Sequence, residues 1–599
     1  MRNSTCTSCH AKSGGFELQT ERREILGRKN VARPGPTCLA REKRYQMRLP
    51  LPSVAFLFLV PLVGLPQADR PASGVPDELR VLASQGFLSE LRWPDYSDYR
   101  VQVQKFYEAT GYAPAWIQDL RPTPQAQAMM TIFAEAGSKG LDPADYDSLL
   151  WSGRIDKLRS GSPADVARFD LALTVSIMRY ISDLHLGRVN PRYFHFGFDV
   201  EHNQYDLSRF VRERVVSSPD LESAMVTVEP PFNGYRRTEK ALRRYLQLAQ
   251  RDEGEHLPTP NRPVAVGDRY FGMQRLQGLL CLLGDLQPAA CGMNASDVYT
   301  NATADGVRHF QGRHDLELTG RLDEPTIREL NVPLSDRVSK LQLTLERWRW
   351  LPHEFSQPPI VVNIPEFRLR AFDQNERIAL AMNVIVGRAY RRQTPVFAKD
   401  MKFVIFRPYW NVPLDIQRSE IVPSIERDRS YLSKKNYEVV TRGAEVVTNG
   451  PLSDEILQQL RDGTLEIRQR PGPDNALGLV KLMFPNEYDV YLHSTPSPEL
   501  FARPRRDFSH GCIRVEDPVD LTTWVLRNNP GWDKARVEAA MQTGQDNYEV
   551  KLSQPIPVLI LYATAVVDDD DQVHFFDDIY GHDARLRQTL AKGHPYPTD

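Results

Sequence analysis

The sequence predicts a multidomain α+β protein, and three observations carry that expectation. The chain has 599 residues, more than one hydrophobic core serves. Its amino-terminal half carries apolar residues at helical spacing, and after about residue 350 the pattern changes to short runs of alternating strand text. Four prolines or glycines between residues 254 and 263 mark a linker between two helical regions. The expected parts are a helical domain over 75–253, a small three-helix domain over 258–333 and a mostly-β domain over 340–585. A helical insertion at 414–478 interrupts the last of these.

Composition narrows the function classes. Apolar content of 41% is ordinary for a globular protein. A formal net charge of −2 gives no electrostatic case for nucleic acid. Six cysteines in this length exclude a disulfide-framework protein.

Residues 1–46 read as an upstream extension and 47–68 as a signal peptide. Arg41, Lys43, Arg44 and Arg48 precede an apolar run from Leu49 to Leu65, and Ala68 suits a cleavage point. Pro50, Pro52 and Pro61 argue against a stable spanning helix, which leaves an uncleaved anchor as the alternative. Cys6-Thr7-Ser8-Cys9-His10 matches a c-type haem attachment pattern. It precedes the export segment, so cleavage would remove it.

In the 75–253 domain, Val166–Leu186 is a long apolar-periodic helix, stopped by Gly187 and followed by Pro191. Phe106, Tyr107 and Trp116 are read as its core. In the 258–333 domain, helices are expected over Phe271–Leu283 and Ala304–His314, with Pro325, Thr326, Ile327 and Leu330 opening a third. Cys281 and Cys291 form a disulfide in an oxidising compartment or remain two buried thiols.

Leu341–Trp350 leads into the strand-rich text. Strands are expected over Ile360–Ile364, Arg368–Phe372, Ala379–Val386, Lys402–Phe406, Val480–Phe484 and Asp489–Leu492. The 414–478 insertion, including a helix over Ser453–Leu460, is a substrate cap or a passive surface insertion. Pro518–Leu526 is a helix. Val558–Val567 and Val573–Phe576 are expected to pair as a hairpin around Asp568–Asp571, a solvated turn whose spacing is not that of an EF-hand loop.

The chemistry concentrates in Ser509-His510-Gly511-Cys512-Ile513-Arg514, with His493 nineteen positions before the cysteine. The thiolate is the working nucleophile, and an imidazole can take its proton. Gly511 permits a sharp turn beside the sulfur. Tyr491 falls on the same strand face as His493. The competing reading is a buried structural cysteine near two unrelated histidines.

The pattern from His493 to Cys512, with Met382–Arg388, Thr394–Phe397 and Pro408–Pro413 upstream, resembles the L,D-transpeptidase (YkuD-type) catalytic domain, in its large multidomain periplasmic form. Arg514 stands where small members carry Asn and large members carry Arg. By the same resemblance, 75–253 with Gly187-Arg188-Val189-Asn190-Pro191 is a scaffold domain. Residues 258–333, with Phe310-Gln311-Gly312-Arg313-His314, are a peptidoglycan-binding-like domain or a three-helix spacer.

The resemblance implies a periplasmic enzyme acting on peptidoglycan stem peptides, with other cell-wall synthesis enzymes as partners. Neither cofactor nor metal is expected, and membrane contact is expected only if the amino-terminal segment stays uncleaved. Cys512 would attack the donor stem, and an amine from a second stem would resolve the thioester into a 3-3 crosslink. His493 is the expected general base, oriented by the Ser494 carbonyl, with His510 as the alternative base or a tuning group. The Gly511 and Cys512 N–H groups are the expected oxyanion donors. Arg514 would clamp a stem carboxylate or pair with Glu516 or Asp517. Trp410 and Tyr409 would wall the groove or pack in the core, and Ser509 is placed with the substrate contacts. Arg503, Arg505 and Arg506 form a basic loop. Hydrolysis by the same cysteine, a zinc peptidase built on His493, His510 and Cys512, and a non-catalytic wall-binding protein are the rival readings.

Overall fold

The computed structural model describes residues 74–597 apart from 199, 201–205, 253, 293–295, 390–391 and 451. The extension, the signal segment and the haem-like motif lie outside the described residues. Among those described, no helix is long and apolar enough to cross a membrane.

The amino-terminal lobe is helical. Its axis is α1, Pro163–Leu186, buried on nearly every side over its middle turns. That is why its sequence is apolar around the whole circumference. Val75–Gln85, Arg100–Glu108, Pro124–Ala134 and Trp151–Leu158 pack around it, with Phe106, Tyr107 and Trp116 fully buried. This core ends at Val228. The next helix, α2 (Asn233–Arg251), packs in the following core. That second core holds α3 (Met273–Leu283), α4 (Asn301–Arg313), α5 (Glu324–Leu330) and α6 (Leu334–Trp348). Cys281 and Cys291 are disulfide-bonded, with Cα atoms 5.9 Å apart.

Gly187 ends α1 at φ +80°, and a Cβ there would meet Glu346 and Trp350 at 2.9 Å. The close approach lets the fully buried Glu346 accept from the N–H groups of Arg188 and Val189. Arg188 supplies the balancing charge at 3.2 Å. One carboxylate thereby fastens the helical lobe to α6.

The carboxy-terminal half is built on a barrel. Its strands are β1 (Ile360–Asn363), β2 (Arg368–Phe372), β3 (Ile378–Gly387) and β4 (Phe397–Phe406). After an insertion carrying β5 (Trp410–Asn411), β6 (Tyr437–Val440), β7 (Val446–Thr448) and β8 (Glu466–Gln469) come β9 (Val480–Met483), β10 (Leu492–His493), β11 (Asp507–Ser509), β12 (Ile513–Val515) and β13 (Tyr548–Leu561). The sheet order is β11-β3-β12-β10-β9-β4-β13-β1-β2, and β2 pairs back onto β3. Eight strands therefore close on themselves, with β11 added outside β3. Alternation sends Val362, Val404, Val480, Leu482, Leu492, Ile513 and Ile560 inward, where they are fully buried. A helix after β12, α7 (Pro518–Val525), buries Leu521 and Val525 in the same core.

One strand expectation is corrected. Residues 558–561 do not form a hairpin with 573–576; they belong to β13, which pairs in parallel with β1 and antiparallel with β4. The separate hairpin is β14 (Ala565–Val567) with β15 (Val573–Phe575). Its acidic turn is paired as well as solvated: Asp569 meets Arg237 at 2.9 Å and Asp571 meets Lys240 at 2.5 Å, both on α2.

The insertion is not helical alone. It holds a four-stranded sheet ordered β5-β8-β6-β7, from Trp410–Asn411, Glu466–Gln469, Tyr437–Val440 and Val446–Thr448. A helix at Asp454–Asp462 packs on it, and the insertion has its own core around Ile425, Val439, Leu460 and Ile467. Glu438 is buried there against Arg468 and Arg470, so charged text became strand text once its charges were paired.

Candidate active site

Strand register assembles the site. Across the antiparallel β9–β10 pair, Lys481 lies opposite His493; across the parallel β10–β12 pair, His493 lies beside Arg514. Tyr491 and Cys512 precede these by two positions, so alternation puts all five on the outer face of the barrel. The intervening Leu482, Leu492 and Ile513 fill the interior.

Cys512 sits in a braced turn. Gly511 has φ +123°, a conformation glycine adopts without steric penalty. Ser509 Oγ donates to the Cys512 carbonyl at 2.6 Å and accepts from the Gly511 N–H at 3.1 Å. Thr394 Oγ1 donates to the Gly511 carbonyl at 2.7 Å. Thr394 is itself held, its N–H donating to the Tyr580 hydroxyl at 3.2 Å, while that hydroxyl donates to the Gly387 carbonyl at 2.5 Å.

This bonding corrects two expectations. The Gly511 N–H is committed to Ser509 rather than open as an oxyanion donor. Ser509 is buried and serves the turn rather than facing a substrate. The Cys512 N–H has no acceptor among the described residues.

His493 is 4% exposed, and its Nδ1 lies 2.6 Å from the Ser494 carbonyl oxygen. A carbonyl only accepts, so Nδ1 carries the proton and Nε2 keeps its lone pair. Burial, with the nearby Arg514 charge, lowers the imidazole to about 3. Ser494 is fixed in turn: its Oγ accepts from the Leu479 N–H at 2.6 Å and donates to the Leu477 carbonyl at 3.1 Å.

Cys512 is half-buried, and its Sγ lies 3.6 Å from the Asp489 carbonyl oxygen. Burial pushes the thiol above its ordinary value; contacts with Tyr491 and the charge of Lys481 pull the other way. Thiol and imidazole are both neutral at rest. The Tyr491 ring stands edge-on to His493, with centroids 5.7 Å apart, and the Lys481 ammonium sits 3.8 Å from the Tyr491 centroid.

Arg514 has neither of the carboxylate partners considered from sequence. Glu516 accepts from the Asn383 N–H and side-chain amide, and Asp517 caps α7. Arg514 Nε is buried without an acceptor among the described residues. His510 turns away from His493 toward the insertion, with Nε2 2.7 Å from Glu420 Oε1. Trp410 and Tyr409 stand where the chain enters the insertion. Trp410 lies on β5 against the insertion's own core, and Tyr409 lies under the Arg468 guanidinium at 4.4 Å. In the basic loop, Arg505 pairs with Asp507 at 2.8 Å, and Arg506 is buried against backbone carbonyls. A cavity of about 420 Å³ lies elsewhere, lined by Phe232, Trp348 and Phe355, and none of the five outer-face residues lines it.

Sequence reading missed Lys481, Thr394 and Glu420. Thr394 lay within a noticed segment, and Lys481 was the outward charge of an expected strand. Which residue it faces depends on register.

The site is a thiol turn on the outside of a closed barrel, beside an imidazole hydrogen-bonded to a backbone carbonyl. Residues 358–539 match the L,D-transpeptidase catalytic domain model (YkuD), and residues 101–242 match a Scaffold domain model. The catalytic-domain match takes in about a third of the chain, and the likeness to the YkuD L,D-transpeptidases is carried by that region. Among curated proteins, a putative L,D-transpeptidase of Haemophilus influenzae is 30% identical over 262 residues, 44% of this chain and 50% of the relative. The chain thus spans about half the length of that relative. A solved L,D-transpeptidase from Stackebrandtia nassauensis is 11% identical, covers 51% of this chain and 96% of its own, and superposes with a TM-score of 0.20.

Proposed function

We propose that this protein is a peptidoglycan L,D-transpeptidase that forms 3-3 crosslinks through a Cys512 thioester. The observation that carries the reading is the braced Cys512 turn beside a neutral His493 whose Nδ1 proton is held by Ser494. Cys512 Sγ attacks the carbonyl of the third residue of a donor tetrapeptide stem. The sulfur–carbon bond forms as the thiol proton passes to His493 Nε2. The carbon–nitrogen bond to the terminal D-alanine then breaks, and the imidazolium protonates the departing amine. An amine on a second stem attacks the thioester, gives its proton to His493, and releases the thiolate for reprotonation. The Cys512 N–H is the oxyanion donor in this scheme. Arg514, free of a protein carboxylate among the described residues, is the clamp for a stem carboxylate. The insertion at 414–478 serves as a substrate cap, and the 258–333 region as a wall-related module.

We place the protein in the periplasm. The basic-then-apolar segment ending near Ala68 supports export, and the Cys281–Cys291 bridge is consistent with an oxidising compartment.

The test is incubation of purified residues 69–599 with disaccharide-tetrapeptide, read by mass spectrometry, beside Cys512→Ala. A dimer lacking one D-alanine, absent with Cys512→Ala, is the expected product. Tripeptide alone would replace transpeptidation with L,D-carboxypeptidase hydrolysis. Product formation by Cys512→Ala would sink the thioester.

A further inference from the structure

The outer face around Cys512 is cationic in a way that proton transfer between thiol and imidazole does not explain. Lys481 projects from β9 directly opposite His493, and its ammonium rests on the face of the Tyr491 ring at 3.8 Å. A ring face attracts a cation, which fixes where this flexible side chain holds its charge. Lys481 makes no ion pair with any described residue, although it is partly withdrawn from water. Burial lowers its proton affinity, while Asp489, and the Cys512 sulfur once ionised, raise it.

The groups facing the sulfur can be named element by element. β9 contributes Lys481, and the approach to β10 contributes Asp489 and Tyr491. β10 contributes the neutral His493, and β12 contributes Arg514, with Arg388 after β3 acting on Arg514. His510 is turned to Glu420. Two fixed cations, Lys481 and Arg514, thus flank an imidazole that is neutral at rest.

We propose that Lys481 is an electrostatic positioning residue of this site: its charge, seated on the Tyr491 ring, stabilises negative charge on the Cys512 sulfur. The same charge disfavours a lasting imidazolium at His493. A proton taken from Cys512 is therefore driven on to the departing amine rather than stored on the ring. The nucleophile is supported by fixed cations across a strand instead of by a resting ion pair with its own base.

This inference rests on Cys512 being the nucleophile, but its test reads the thiol itself. The rate of Cys512 carbamidomethylation by iodoacetamide is followed from pH 6 to 10 in the full chain, with peptide mass spectrometry isolating Cys512 from the other cysteines. Lys481→Met keeps the apolar stem over Tyr491 and removes the charge. It is expected to move the alkylation midpoint to higher pH and to slow alkylation at pH 8 by about tenfold, one pH unit of midpoint. Lys481→Arg keeps the charge and is expected to stay within about threefold of the parent rate, a residual shift of roughly half a pH unit. Lys481→Gln is the second neutral variant should Lys481→Met not fold, as judged by circular dichroism. An unchanged midpoint in a folded neutral variant overturns the proposal. So does Lys481→Arg behaving like Lys481→Met, which would mark a packing role. If the midpoint shifts as expected while no crosslinked product forms, the electrostatic role stands and the transpeptidase reading fails.

Discussion

His510 Nε2 and Glu420 Oε1 lie 2.7 Å apart, linking the residue two before Cys512 with the first helical turns of the insertion. Arg392 reinforces the link, 3.5 Å from both Glu420 and Asp415. The pair is half exposed, so its contribution to global stability is within about 1 kcal/mol. Its local effect is larger, because little else ties residues 414–421 to the Cys512 turn. Glu420→Ala is expected to speed amide hydrogen exchange across 414–427 while leaving the melting temperature nearly unchanged. Unaltered exchange there would show that the insertion is held by its other contacts.

The Ser509 hydroxyl closes the Cys512 turn with two hydrogen bonds. Ser509→Ala leaves the buried Gly511 N–H without its acceptor, at a cost of about 1–3 kcal/mol. The variant is expected to melt lower and to turn over donor stem more slowly, with little change in KM. A raised KM with unchanged kcat would instead make Ser509 a substrate contact.

His493 sits near 3, below its ordinary 6.5, and burial raises the Cys512 thiol. Neither titrates between pH 5 and 8, so kcat/KM is expected to show no acid limb near pH 6.5. The sign for stability follows from proton counting. Between about pH 6.5 and 3 the unfolded chain binds a proton that folded His493 refuses, so the stability present at neutral pH falls progressively through that window. An inflection between pH 6 and 7 in the rate profile would replace the neutral pair with a resting thiolate–imidazolium pair.

The Cys281–Cys291 bridge closes a short loop, ten residues apart in sequence. Loop-closure entropy for that length is about 2–3 kcal/mol. Reduction, or Cys281→Ser with Cys291→Ser, is expected to lower the unfolding midpoint of the region built on α3 and α4. A calorimetric trace unchanged by reductant would show that packing of Leu280, Phe310 and their neighbours suffices.

Much of the barrel was legible because its signal is local. Val480–Phe484 read as a strand, and the two-residue spacing of Tyr491 and His493 put them on one face. α1 was legible from its length and its terminal glycine. The insertion's sheet was not, because its strands are short and Glu438, Arg468 and Arg470 read as solvent-facing until they pair with one another. The first half of β13 was hidden by Pro555 and Pro557, which a register shift between Lys551 and Ile556 accommodates. At the site, Cys512 and His493 stood out as residue types in a motif, and the Ser494 carbonyl followed from the family resemblance. That Lys481 faces His493, and that Ser509 occupies the Gly511 N–H, are matters of register and turn geometry that residue types do not encode.

Tyr580 braces Thr394, and through it the Gly511 carbonyl, from a position 68 residues beyond the nucleophile. The match to the catalytic family ends at residue 539, before β13 and before this tyrosine. A chain cut at that point would keep Cys512, His493, Tyr491, Lys481 and Arg514. It would also expose the edges of β1 and β4 as two open templates for intermolecular strand pairing. The smallest soluble piece of this protein that keeps the Cys512 site is therefore set by where the barrel closes, well downstream of Arg514.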